Sequence, residues 1–123
     1  MSKPSEPLID GAPVRRFKNP NYKNVGSNLA ELRQKIDLID SQIIELLAQR
    51  ALCVQDATRF KKDAFQVAAP ARQAQVFERV KSQAEIHLEN FPNFPEIVET
   101  TYRTLVAGFI ASEQLLFQKT EII

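Results

Sequence analysis

Between Asn28 and Lys61 the apolar positions recur in alternating steps of four and three. Leu32, Ile36, Ile39, Ile43 and Leu46 are followed by Arg50, Cys53, Ala57 and Phe60. No glycine or proline interrupts the run, so the spacing predicts one amphipathic helix with a heptad seam. Asn28 is placed to cap it, with Glu31 three residues on for a capping box. About 35 residues at 1.5 Å each make a rod of roughly 50 Å. A rod that long cannot bury its seam inside a chain of 123 residues. The pattern therefore predicts a homodimer, with a second copy packed along the seam.

Periodicity lapses between Asp63 and Ala69 and resumes at Pro70, which suits the first turn of a second helix because its missing N–H would go unpaired there anyway. Val76, Phe77, Val80, Ala84 and Leu88 then recur at helical spacing, carrying this helix to about His87–Glu89. Asn90 to Pro95 reads as a turn. A third helix starts near Pro95 and carries Ile97, Thr101, Leu105, Phe109 and Leu116 to about Lys119. Gly108 within it costs about 1 kcal/mol relative to alanine. No segment reads as a strand, so the predicted fold is all-α: one long helix and two shorter ones. Residues 1–26 hold four of the seven prolines and two of the three glycines. That stretch is expected to be a flexible arm, made basic by Arg15, Arg16, Lys18 and Lys23, ahead of a helical domain at 27–123. A solvated tail is its plainest reading, and a lid over an anionic site the sharper one.

Composition narrows the function. Sixteen basic residues face fifteen acidic ones, for a net charge of +1. That balance lacks the excess expected of a general nucleic-acid binder. Cys53 is the single cysteine, so no intrachain disulfide can form, and its place on the apolar stripe predicts a small buried hydrophobe. With His87 as the single histidine, neither a catalytic triad nor a thiolate–imidazole metal site is expected. No window approaches the roughly 18 apolar residues of a membrane span. The first 26 residues contain no continuous apolar core of the kind a secretory signal needs. The expectation is a cytoplasmic enzyme or binding protein.

Candidate chemistry lies on the long helix. Arg50 interrupts its seam among Leu46, Leu47, Cys53 and Val54, where an unpaired guanidinium is costly and a bound carboxylate would relieve it. Lys61 follows eleven positions later, close to three turns, and so shares its face about 16 Å along the axis. Arg33 precedes Arg50 by seventeen positions, about 25 Å on a continuous helix. It cannot reach the same ligand, but an antiparallel partner's Arg33 would. A solvated surface charge is the ordinary alternative for Arg33 and Lys61. Arg72, at the start of the second helix, is unfavourably placed for the helix dipole, which a functional role would explain. Gln114 could present a neutral amide donor from the third helix, or be an exposed helix glutamine.

These residues resemble the all-helical chorismate mutases and their relatives, the isochorismate-pyruvate lyases. The resemblance runs from Leu29 to about Gln118. It is carried by Leu32-Arg33, Ile36-Asp37, Ile39-Asp40, Leu46-Leu47 and Arg50, together with the register of Lys61, Arg72 and Gln114. It implies an intertwined three-helix homodimer with two sites, acting on a dicarboxylate without metal or cofactor. In that likeness Arg50 and the other copy's Arg33 bind the two carboxylates. Lys61 reaches a carboxylate and the ether oxygen, Gln114 donates to that oxygen, and Arg72 helps close the pocket. The chain departs from the mutase pattern where Ala69 and Gln73 replace acids that hold the substrate hydroxyl, although Gln73 can still accept a hydrogen bond. Ile110 stands where some mutases have serine. Thr58-Arg59-Phe60-Lys61 and Ala69-Pro70-Ala71-Arg72 look more like the lyase branch, which eliminates pyruvate from isochorismate to give salicylate. Mutase activity is the leading expectation, lyase activity the alternative, and a non-catalytic helical dimer or metabolite-binding homologue the third.

Overall fold

A computed structural model describes residues 4–123, and the described residues form helices and turns with no strand. Three long helices are present: α1, Leu29–Ala57; α3, Pro70–Glu85; and α4, Phe94–Phe117. A single 3-10 turn, Thr58–Phe60, follows α1, and a short helix α2, Ala64–Ala68, precedes α3. The chain divides into two compact units, Met1–Ala48 and Gln49–Ile123, with the boundary inside α1.

In the first unit, the Asn28 side chain accepts the Glu31 N–H at 2.9 Å, the predicted cap. The return contact differs from a simple capping box, because Glu31 reaches the Ser27 N–H at 3.4 Å instead of that of Asn28. Ahead of the helix the chain is irregular and largely exposed. It is tied to α1 where the Ile9 carbonyl accepts the Ala30 N–H at 2.8 Å and the Val25 carbonyl accepts from Lys35 Nζ. Phe17 and Tyr22 stack at 4.4 Å within it. Ile36, Ile39, Ile43 and Leu46, the heart of the predicted seam, all lie about half exposed or more. No residue of α1 is buried.

The second unit holds the core. Val76, Phe77 and Val80 of α3 pack with Val106 of α4, and Val98, Tyr102 and Ile110 close around them. Of the stripe predicted for this helix, Val76, Phe77, Val80 and Ala84 are buried as expected, but Leu88 is exposed. It falls beyond the end of α3, in the left-handed region at φ 48°. On α4 the inward stripe is Val98, Tyr102, Val106, Ile110 and Glu113, of which Val106 and Glu113 are buried and the others partly so, whereas Ile97 is half exposed. The predicted stripe is therefore displaced by one residue.

Two corrections concern the connection after α1. The predicted helix does not run through to Lys61, for it tightens into the 3-10 turn at Thr58 and leaves Lys61 extended at φ −110°, ψ 135°. The stretch expected to be irregular contains α2, because Asp63 caps it by accepting the Gln66 N–H at 2.9 Å. Five residues are too few to show a period, which is why the pattern hid them. Ala69 then adopts the left-handed conformation at φ 45°, donating its N–H to the Phe65 carbonyl and accepting the Gln73 N–H. That single kink lets Pro70 start α3 directly after α2 ends. No helix among the described residues is long and apolar enough to cross a membrane.

Candidate active site

Within the second unit, a cavity of about 330 Å³ opens between the end of α1, α2, the start of α3 and the middle of α4. Val67, Val76 and Val106 supply apolar walls, and Arg50, Lys61, Arg72 and Gln73 reach it from three separate segments. Four of the six residues singled out from the sequence thus converge. Its volume suits a small metabolite, at the lower end of the usual range for ligand pockets.

Arg50 is the most informative member. Its guanidinium carbon lies 5.0 Å from the centre of the Phe109 ring, which holds the planar group by a cation–π contact. Its Nη1 is buried and has no hydrogen-bond partner. A buried donor left unpaired costs about 1–3 kcal/mol or more for a charged group, so Arg50 is suited to an anionic partner.

Lys61 is held differently. Its Nζ lies 2.9 Å from Oε2 of Glu113, and that carboxylate is 4% exposed. The Thr58 hydroxyl stands 3.3 Å from the same oxygen. Arg72 directs Nη1 to Gln75 Oε1 at 2.6 Å, a contact on the exposed side of α3. Gln73 donates Nε2 to the Ala68 carbonyl, which leaves its own carbonyl oxygen to accept from a ligand. Arg33 lies in the first unit and is exposed. Cys53, expected to be buried, is exposed and lines the cavity. The stripe it sits on is uncovered, so it has nothing to be buried against.

Gln114 takes a different place from the one expected. Its Nε2 donates to the Ala64 carbonyl at 3.0 Å, pinning α2 to α4, and it does not line the cavity. Its neighbour Glu113 does. The signal for Glu113 was available: it interrupts the α4 stripe after Val106 and Ile110, as Arg50 interrupts that of α1. Arg79, two turns after Arg72 on α3, also borders the cavity. A larger cavity of about 770 Å³ lies wholly in the first unit, enclosed by the irregular segment before α1. It is walled mainly by exposed apolar side chains and backbone, and no buried polar group without a partner points into it. The smaller cavity is therefore the candidate active site. No group of three or more histidine, cysteine or acidic side chains among the described residues is arranged to hold a metal ion.

Residues 32–114 match the family Chorismate mutase type II. The chain belongs to that family. The match spans about two thirds of the chain and takes in every residue of the cavity, Arg33 and Gln114. A 60-residue stretch is 32% identical to a chorismate mutase of Methanocaldococcus jannaschii, covering 48% of this chain and 61% of that relative. The aligned stretch thus spans less than two thirds of the length of the curated relative it matches.

Proposed function

We propose that the protein is a chorismate mutase, rearranging chorismate to prephenate in the cavity between α1 and α4. The observation that carries this reading is Arg50, whose buried Nη1 has no partner and which lines the same cavity as Lys61 and Arg72. The family match and the mutase relative support the same substrate. Arg50 binds one substrate carboxylate. Arg33 of a second copy binds the other, which makes the working unit a homodimer with two shared sites. Support for the dimer comes from the uncovered seam of α1. Gln73 accepts from the substrate hydroxyl, and Arg72 closes the mouth.

The reaction is a concerted rearrangement and needs no nucleophile. Its barrier falls when the enolpyruvyl arm is held over the ring and when negative charge growing on the ether oxygen is met by fixed donors. In this reading Lys61 takes that role. Its ammonium has three N–H donors, of which Glu113 takes one, so two remain for the ligand. Glu113 occupies the position expected of Gln114, whose amide ties down α2. In this reading Gln114 assists by fixing the wall that carries Val67, not by touching substrate.

The deciding experiment offers chorismate and isochorismate separately and identifies the products. Prephenate from chorismate is expected. Salicylate and pyruvate from isochorismate alone would replace the reading with lyase activity, for which the Thr58–Lys61 and Ala69–Arg72 stretches are the sequence argument. No turnover of either would leave a non-catalytic homologue. Arg50→Ala should lower turnover by about 100-fold or more while the protein stays folded, and an unchanged rate would remove Arg50 from the site. Mixed Arg33→Ala and Arg50→Ala subunits should recover activity after subunit exchange, because one intact site forms per heterodimer. Failure to recover would break the shared-site arrangement.

A further inference from the structure

We propose that Thr58 is a positioning residue of this site: its buried hydroxyl fixes Glu113, and through it the ammonium of Lys61, so that both face the cavity. The inference rests on the mutase reading and adds to it a residue that never touches the ligand. Thr58 is 2% exposed and lies at the first position of the 3-10 turn that ends α1. It does not line the cavity, whereas Glu113 and Lys61 do.

The hydroxyl has one proton and two acceptors in reach, the Val54 carbonyl at 3.1 Å and Glu113 Oε2 at 3.3 Å. Lys61 Nζ donates to the same Oε2 at 2.9 Å. Both protein partners therefore hold a single carboxylate oxygen, and Oε1 makes no hydrogen bond within the described residues. A hydroxyl can both donate and accept. Here Thr58 donates to Oε2 of the Glu113 carboxylate and Lys61 donates to the same oxygen, so the carboxylate is fixed by two donors and keeps one orientation. Valine at this position has the same shape and offers neither function. The Glu113 carboxyl would then swing with Lys61 alone, and the ammonium would lose its fixed point.

The test measures chorismate turnover by the wild type, Thr58→Val and Thr58→Ser, each also in the Glu113→Ala background, with circular dichroism and urea midpoints to confirm folding. Thr58→Val should lose about tenfold in kcat/KM, the scale of one hydrogen bond to a charged group, mostly through kcat. Thr58→Ser, which keeps the hydroxyl, should stay within about twofold. In Glu113→Ala, Thr58→Val should cause no further loss. Three results would overturn the proposal: wild-type activity in Thr58→Val, equal impairment in Thr58→Ser, or the same loss persisting without Glu113. Should Thr58→Val not fold, Thr58→Ala takes its place in the same comparison. A wild type silent toward chorismate would sink the mutase reading itself. That result is distinct from an active wild type that is indifferent to Thr58.

Discussion

Helices α1 and α4 both carry apolar stripes over several turns, and the stripes have opposite fates. That of α4 closes against α3, burying Val106 with Val76, Phe77 and Val80. That of α1 is left open, with Ile36, Ile39, Ile43 and Leu46 at 48–61% exposure. Hydrophobicity alone does not separate them, since α1 is as rich in isoleucine and leucine as any helix here. The difference is whether the chain supplies a partner surface. Two helices of similar length joined by a short turn can cover each other. A 29-residue helix followed by 16- and 24-residue ones outruns what the same chain offers. An apolar face of this length left uncovered in one copy is the basis for proposing a second copy on it.

Substitutions on each stripe separate these fates most sharply. Ile39→Lys with Ile43→Lys should weaken self-association by more than about 100-fold, since two buried isoleucines are worth several kcal/mol, with little loss of helix by circular dichroism. Sedimentation showing an unchanged oligomer would end the proposed role of the seam. On the closed stripe the effect should fall on folding instead. Val106→Ala removes two methyl groups from a packed core and should cost about 2 kcal/mol in urea denaturation, with the oligomeric state untouched.

Smaller effects sharpen the second unit further. Ala69 holds a left-handed conformation that an L-residue adopts at a cost of about 1–2 kcal/mol, so Ala69→Gly should raise the urea midpoint, corresponding to a gain of about 1 kcal/mol at most in unfolding free energy. A lower midpoint would show that the Cβ packs against something worth more than the strain. The smallest effect belongs to Glu99, hydrogen-bonded by Arg103 at 3.0 Å and paired with Lys81 at 3.4 Å. The Arg103 guanidinium, aided by Lys81, holds its carboxyl below the ordinary value despite some desolvation. A carboxyl lowered in the folded state stabilises above its unfolded pKa and loses that contribution as pH falls through the folded one. Glu99→Gln should therefore lower the midpoint slightly at neutral pH, and the gap from wild type should close only in acid. A gap independent of pH would assign the effect to packing.

Much of this was legible in the chain alone. Asn28 as a cap, Pro70 and Pro95 at helix starts, and the stripe Val76, Phe77, Val80 and Ala84 all follow from local chemistry. Arg50 stood out because a cation inside an apolar stripe is expensive without a partner, and its buried Nη1 has none. Lys61 was paired with it on the premise of one continuous helix, which the 3-10 turn at Thr58 breaks although Lys61 still lines the cavity, and Arg72 stood out as a cation at a helix start. The 3-10 turn and α2 were not legible. A segment of three or five residues contains no full period, and its conformation is set by Asp63, Ala69 and the contact of Val67 with the rest of the unit.

The choice between Glu113 and Gln114 marks the division between the two sources of information. Periodicity determined that α4 is a helix with one apolar face and that polar side chains near its end lie one turn beyond Ile110. It did not determine the phase of that face, because apolar residues stand at 97, 105 and 109 as well as at 98, 102, 106 and 110. Neighbouring residues on a helix point about 100° apart, so a shift of one position exchanges a carboxylate for an amide. Only the packing of Val106 and Tyr102 against α3 set the rotation. It turned Glu113 into the cavity beside Lys61 and Thr58, and it spent Gln114 on the backbone of α2.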